Sequence, residues 1–141
     1  MDDGSDRRVA LLSIRPSFAD AIMRGEKRVE FRRRPPAADT SHVIVYATAP
    51  VRRIVGWFAV VSIEADRPRS LWRRFGGVGS ISIDAFDAYY GASEIGAAIR
   101  VGEVESLAVP IRLEDLEPGL RPPQSFRYVD RSHLATLAKA P

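Results

Sequence analysis

The sequence contains no cysteine, which excludes a disulfide framework and thiolate chemistry. Its two histidines, His42 and His133, are too few for a typical zinc site, so neither a metal nor a cofactor is expected. No apolar run approaches the roughly 20 residues of a membrane helix. The opening MDDGSDRR is polar and acidic, unlike a secretory signal. These absences point to a cytoplasmic protein without membrane contact. There is no GxxxxGK[ST] phosphate loop and no Ser/His/Asp arrangement. Internal repeats, linkers and low-complexity tracts are also missing. The 141 residues therefore read as a disordered tail over residues 1–8 followed by one domain over 9–141. The sequence carries no signal for oligomeric state.

Lysine is scarce as well. Of the 21 cations only Lys27 and Lys139 are lysine, and the remaining 19 are arginine. Much of that bias is compositional, but its distribution is uneven. Arg7, Arg8, Arg15, Arg24, Lys27, Arg28, Arg32, Arg33 and Arg34 crowd the first quarter of the chain, whereas after residue 100 the carboxylates, among them Glu103, Glu105, Glu114, Asp115 and Glu117, outnumber the cations. Such asymmetry implies a basic face suited to phosphates.

Val9 to Ile14 reads as a buried strand. Pro16 suits the first turn of a short helix, with Phe18, Ala21 and Ile22 as its apolar stripe and Gly25 as a left-handed cap. The next strand alternates: Val29 and Phe31 share one face, and Arg28, Glu30, Arg32 and Arg34 the other. Pro35 and Pro36 stop it. Strands are expected over 43–48, 54–63, 97–101 and 107–113, with Pro110 confining the last to an edge or bulge. Ser70, Ser82 and Ser132 are expected to cap short helices, and Arg121 to Val129 is a rigid turn leading into an extended piece. The pattern implies an α+β fold of about five to six strands with short flanking helices, the sheet curled or closed into a small β-barrel.

Gly25-x-Lys27-x-x-Glu30-x-Arg32 resembles the GxKxxExR signature of the ASCH domains, a PUA-like family. The flanking order agrees: Ser13-Ile14-Arg15-Pro16 before the helix, Tyr46-Ala47-Thr48 ending the next strand, a Phe86-x-x-Tyr89-Tyr90-Gly91 helix end, and a Pro123-Gln124-Ser125-Phe126 turn. The resemblance covers roughly residues 9–130. It implies a PUA-like β-barrel with a cleft near the signature and recognition of RNA, a nucleotide or a modified nucleoside. Some related proteins are amidohydrolases acting on N4-acetylcytidine, and others are ribonucleases. In the amidohydrolases the signature strand carries Lys, then Thr, then Arg. Here Glu30 stands in the place of Thr, and only Asp84, Asp87 and Glu94 lie near the region of their later glutamate.

The leading expectation is an RNA- or nucleobase-binding module; the alternative is an amidohydrolase or ribonuclease using Lys27 and Glu30. An amine at Lys27 serves as phosphate ligand, base or nucleophile. Glu30 serves as hydrogen-bond acceptor, general acid/base or ion-pair partner, and Arg32 as a fork for phosphate or carboxylate. Ser13 and Arg15 stand at a strand-to-helix turn suited to an anion. Tyr46 offers a stacking face and Thr48 a hydroxyl; Gln124, Ser125 and Phe126 offer base-edge contacts from a rigid turn. Strict alternation puts Lys27 and Glu30 on opposite faces unless the strand starts after Lys27. Trp57, Phe58, Trp72 and Phe75 are expected in the core.

Overall fold

The computed structural model describes residues 7–139, so residues 1–6 of the expected tail lie outside the described residues. Twelve elements follow in order: β1 (Arg8–Ile14), α1 (Pro16–Met23), β2 (Val29–Arg32), β3 (Thr40–Ala47), β4 (Arg53–Asp66), α2 (Pro68–Phe75), a 3-10 turn (Gly76–Val78), α3 (Ile83–Tyr90), β5 (Gly96–Ile111), α4 (Leu113–Leu116), β6 (Phe126–Val129) and α5 (Ser132–Ala138). They build one six-stranded mixed sheet of order β2-β5-β4-β3-β1-β6. Only β1 and β3 are parallel, and α1 with β2 intervenes between them, as a parallel crossover requires. Fold class is α+β, as expected, because the other four strand pairings among the described residues are antiparallel.

Both faces of the central strands β1 and β3 are buried. Ala10, Leu12, Ile14, Val43, Val45 and Phe58 pack beneath Ala19 and Ile22 of α1. The alternate residues Val9, Leu11, Ile44 and Tyr46 pack on the other face against Leu113, Leu116 and Leu137. The period of two along β1 and β3 sorts the side chains, and the near-continuous apolar run follows from having two covered faces. A third cluster sets Val29 and Phe31 of β2 against Leu71, Phe75, Phe86 and Tyr90 from α2 and α3. The expected core aromatics are here: Phe58 and Phe75 are buried, and Trp57 and Trp72 pack at the cluster margins.

Three local expectations change. Ser70 lies inside α2, not at its cap: the helix starts at Pro68, with Arg67 as N-cap, because proline at the first position fixes a helical φ and sacrifices no bond. The last helix has Arg131 as its N-cap, one residue before the expected Ser132. The two strands expected over 97–101 and 107–113 are one, β5, which pairs with β4 through several register shifts. Pro110 falls within such a shift, where a missing N–H breaks no ladder bond. Ser82 does cap α3, its hydroxyl accepting from Ala85 N at 3.1 Å.

The end of α1 positions the signature. Gly25 has φ +79°. Gly25 N donates to Ile22 O at 3.0 Å and Glu26 N to Ala21 O at 3.0 Å, the paired bonds of a Schellman motif. Lys27 N adds a bond to Ala21 O at 3.1 Å. The chain is thus folded back onto the helix end through residue 27, and β2 begins only at Val29. A Cβ at Gly25 would meet nothing within 4 Å, so Gly25→Ala meets only the left-handed backbone cost. Chemical denaturation is expected to show a loss of about 1–2 kcal/mol; an unchanged midpoint would mean that the turn does not hold this conformation.

Candidate functional site

The sheet curls until its two ends approach, and a cleft of about 410 Å³ opens at that seam. Its walls come from Ile14 and Phe18, from Phe31, and from Ile81, Ala85, Ala88 and Tyr89; its polar lining is Ser13, Arg15, Lys27, Glu30 and Arg32. Glu30 and Arg32 share the face of β2 opposite Val29 and Phe31, as alternation requires. Lys27 precedes the strand and is therefore not bound by alternation. Its Nζ stands 3.6 Å from Glu30 Oε1. The tension between signature and strand period is resolved by the Schellman turn: Lys27 and Glu30 face one cavity.

Lys27 is 1% exposed. Its ammonium donates to the Gly79 carbonyl and lies over the Phe18 ring at 4.6 Å and the Phe31 ring at 5.7 Å. Burial pushes its pKa below the ordinary lysine value, Glu30 opposes that shift, and Arg32 adds to it. The segment that holds the amine is itself tied down, with Arg28 N donating to Val78 O at 2.7 Å. Gly79 has no room for a side chain: a Cβ would come within 2.5 Å of the Phe31 ring.

Arg32 ties the seam. Its Nε donates to Glu30 Oε2 at 3.0 Å, one terminal nitrogen to Ser125 Oγ at 3.2 Å, and the other to the Ser13 carbonyl at 2.8 Å. It thereby joins edge strand β2 to β1 and to the turn before β6, at the opposite end of the strand order. Ser13 is fixed in turn, its hydroxyl donating to Pro123 O at 2.6 Å. Tyr90 OH lies within hydrogen-bond distance of both the Arg32 and Ala97 carbonyls, at 3.2 and 3.3 Å. Burial raises the Tyr90 pKa strongly, which keeps it a phenol donor. The sheet is curled but not closed into the expected β-barrel: no backbone ladder joins β2 to β6, and the Arg32 side chain bridges the gap.

The remaining expected residues divide. Ser13, Arg15, Lys27, Glu30 and Arg32 converge on the cleft, and Ser125 reaches it through Arg32. Tyr46 is buried in the cluster on the other sheet face. Thr48 is half-buried in the turn after β3, Gln124 is exposed, and Phe126 packs at the margin of the first core; none of the three lines the cleft. Asp84 and Asp87 are exposed, and α3 presents Ala85, Ala88 and Tyr89 instead. The sequence reading missed the walls, since Phe18, Phe31 and Tyr89 look like ordinary core periodicity. The Tyr89-Tyr90 pair at a helix end was the available signal.

The lining carries two arginines and a lysine against a single carboxylate, an excess of positive charge that favours an anionic ligand. A curled mixed sheet with a cation-rich, aromatic-walled cleft at its seam is a PUA-like α+β domain. Within that class, a model of the ASCH domain family matches residues 12–116, and the chain belongs to this family. It is 32% identical over 141 residues to the ASCH domain-containing ribonuclease of Zymomonas mobilis, covering 97% of this chain and 95% of that protein. The crystal structure of ASCH from Zymomonas mobilis superposes with a TM-score of 0.86 at 31% identity, over 94% of this chain and 95% of that one. A serine-to-alanine variant of that protein matches with a TM-score of 0.84 at 30% identity, covering 94% and 96%. The N-terminal domain of Staphylothermus marinus McrB shares the fold at 11% identity, with a TM-score of 0.57 over 98% and 97%.

Two outcomes follow. Arg32→Met removes one partner of a largely buried pair and leaves Glu30 with Lys27 alone, so stability is expected to fall by about 3–5 kcal/mol. The Glu30→Met/Arg32→Met double variant should regain part of it; a double variant no better than the sum of its singles would show that the two do not act as a pair. The second outcome concerns pH. The folded protein releases the Lys27 proton at lower pH than the unfolded chain, whose lysine titrates near 10.5. In that window the unfolded state binds more protons, so stability rises with pH. Thermal midpoints of wild type relative to Lys27→Met should climb as pH rises toward 10.5; a flat or falling difference would contradict the burial of a charged amine.

Proposed function

We propose that this chain binds RNA at the cleft and cleaves it as a ribonuclease, with Lys27 and Glu30 as the proton-transfer pair. The observation that carries the reading is their meeting, 3.6 Å apart, at the polar end of a cleft whose lining includes Arg15. Kinship to a protein named as a ribonuclease over nearly the full length of both chains supports the same reading. Arg15 is exposed at the start of α1 and serves as a phosphate ligand. The lowered pKa of Lys27 makes its ammonium a better acid at neutral pH than an ordinary lysine. Glu30 takes the proton of a ribose 2′-hydroxyl, whose oxygen attacks the adjacent phosphorus. The bond from phosphorus to the 5′-oxygen breaks, and that oxygen takes a proton from Lys27. The products are a 2′,3′-cyclic phosphate and a 5′-hydroxyl end. Arg32 is a positioning residue, since its three nitrogens hold Glu30, Ser125 and Ser13.

The nucleoside amidohydrolase reading draws on the same amine but lacks support from α3, which brings small residues and Tyr89 to the cleft and no carboxylate.

The test compares an RNA oligonucleotide with DNA of the same sequence. Wild type should bind both in a salt-dependent way and cut only RNA. Lys27→Met and Glu30→Gln, with folding checked by circular dichroism, should each slow cleavage by about 10²–10⁴-fold while leaving binding largely in place. Full cleavage by Lys27→Met would remove that residue from the chemistry. Binding without cleavage by wild type would make the domain a reader of RNA only, and release of acetate from N4-acetylcytidine would move it to the amidohydrolases.

A further inference from the structure

The rim of the cleft holds a pair of side chains that the proposed chemistry leaves unused. Tyr89, on the cleft wall, accepts a hydrogen bond at its hydroxyl from Arg33 N at 2.9 Å. The Arg33 guanidinium in return lies over the Tyr89 ring, 4.9 Å from its centre. Ring and guanidinium therefore fix one another: the backbone bond sets the ring and the stacking sets the arginine. Tyr89 is further held edge-to-face on Tyr90 at 5.0 Å, and Tyr90 is anchored to the Arg32 carbonyl. The neighbouring arginine of the strand is consumed by Glu30, Ser125 and Ser13, whereas Arg33 is exposed and has no carboxylate partner among the described residues. A long, mobile cation loses rotamer freedom when it is ordered, and here that loss is met before any ligand arrives. An exposed guanidinium stacked on one face keeps its in-plane N–H donors free, which is the geometry that takes phosphate.

We propose that Arg33, stacked on Tyr89, binds the phosphate of the nucleotide next to the one held in the cleft, so that the ligand is an oligonucleotide of two or more nucleotides and not a free nucleoside. This rests on the reading of the cleft as an RNA site. Arg15 and Arg33 come from different elements, the β1–α1 junction and the end of β2. A chain whose nucleotide enters the cleft meets Arg15 in the lining and Arg33 beyond Tyr89. A mononucleotide reaches only the first.

The test measures binding of a fluorescein-labelled RNA pentamer, carrying a 2′-methoxy group at each ribose so that it cannot be cut, and of the four nucleoside 5′-monophosphates to wild type, Arg33→Ala and Arg34→Ala. Arg34 is the next exposed cation, and its removal changes net charge equally. Arg33→Ala should weaken the pentamer about tenfold and lower the slope of log affinity against log salt by about 0.7, with monophosphate binding unchanged. Tyr89→Leu, which frees the guanidinium, should weaken the pentamer in the same direction. Equal pentamer affinity for wild type and Arg33→Ala would overturn the inference while leaving the cleft reading intact. Equal losses in Arg33→Ala and Arg34→Ala would also overturn it, by reducing the effect to general charge. Failure of wild type to bind any of these probes would overturn the inference together with the reading beneath it.

Discussion

The Arg32 guanidinium holds the molecule's two ends together. A sheet of six strands has two edges, and unpaired edges are both a structural weakness and an opening. Here the curl brings the β2 edge to within one side chain of β1 and the turn ahead of β6, and Arg32 spans the distance with bonds to Ser13 and Ser125. The same guanidinium pairs with Glu30, and Glu30 with Lys27. The guanidinium that bridges the two sheet edges therefore also orders the polar side of the cleft. A hydrocarbon pair would join the edges as firmly, since buried ion pairs contribute little net stability, but it would leave no charge at the cleft.

The chemistry follows from what surrounds that chain of charges. The Phe18 and Phe31 rings pack against the Lys27 ammonium, and the Gly79 carbonyl accepts a hydrogen bond from it. The low-polarity surroundings depress its pKa, while Glu30 keeps the buried cation tolerable. A carboxylate and an amine held in this way differ from a surface pair in being shielded from bulk water, so their mutual field is strong. The aromatic walls supply a surface that a nucleobase can enter, and the lining's excess of positive charge favours its phosphate.

Sequence patterning made the strands around β1, β3 and β4 readable, because two buried faces demand long apolar runs. The cap at Gly25 and the cap at Ser82 were readable for the same local reason: few residues satisfy those positions. The meeting of Lys27 with Glu30 was not. Alternation along the strand argued against it, and only the Schellman bonds to Ala21 and Ile22 show that residue 27 still belongs to the helix end. Tyr46 illustrates the opposite error. It ends a strand beside the signature's neighbour Ser13, yet its side chain enters the far core. The gathering of Ser125 at Arg32, 93 residues away in the chain, depends on the curl of the whole sheet, which no local pattern encodes. Arg33 is one cation among many in the first quarter of the sequence, and only the tertiary contact with Tyr89 sets it apart.

The central claim is that Lys27, Glu30 and Arg15 face a bound nucleotide in one cleft. A crystal structure with a short RNA carrying a 2′-deoxy or 2′-methoxy block at each ribose, so that it binds but cannot be cut, tests this most directly. The account predicts a nucleotide between Phe18 and Tyr89, with ligand atoms within about 3.2 Å of Lys27 or Glu30 and a phosphate at Arg15. RNA lying elsewhere on the arginine-rich surface, with the cleft unfilled, would contradict it.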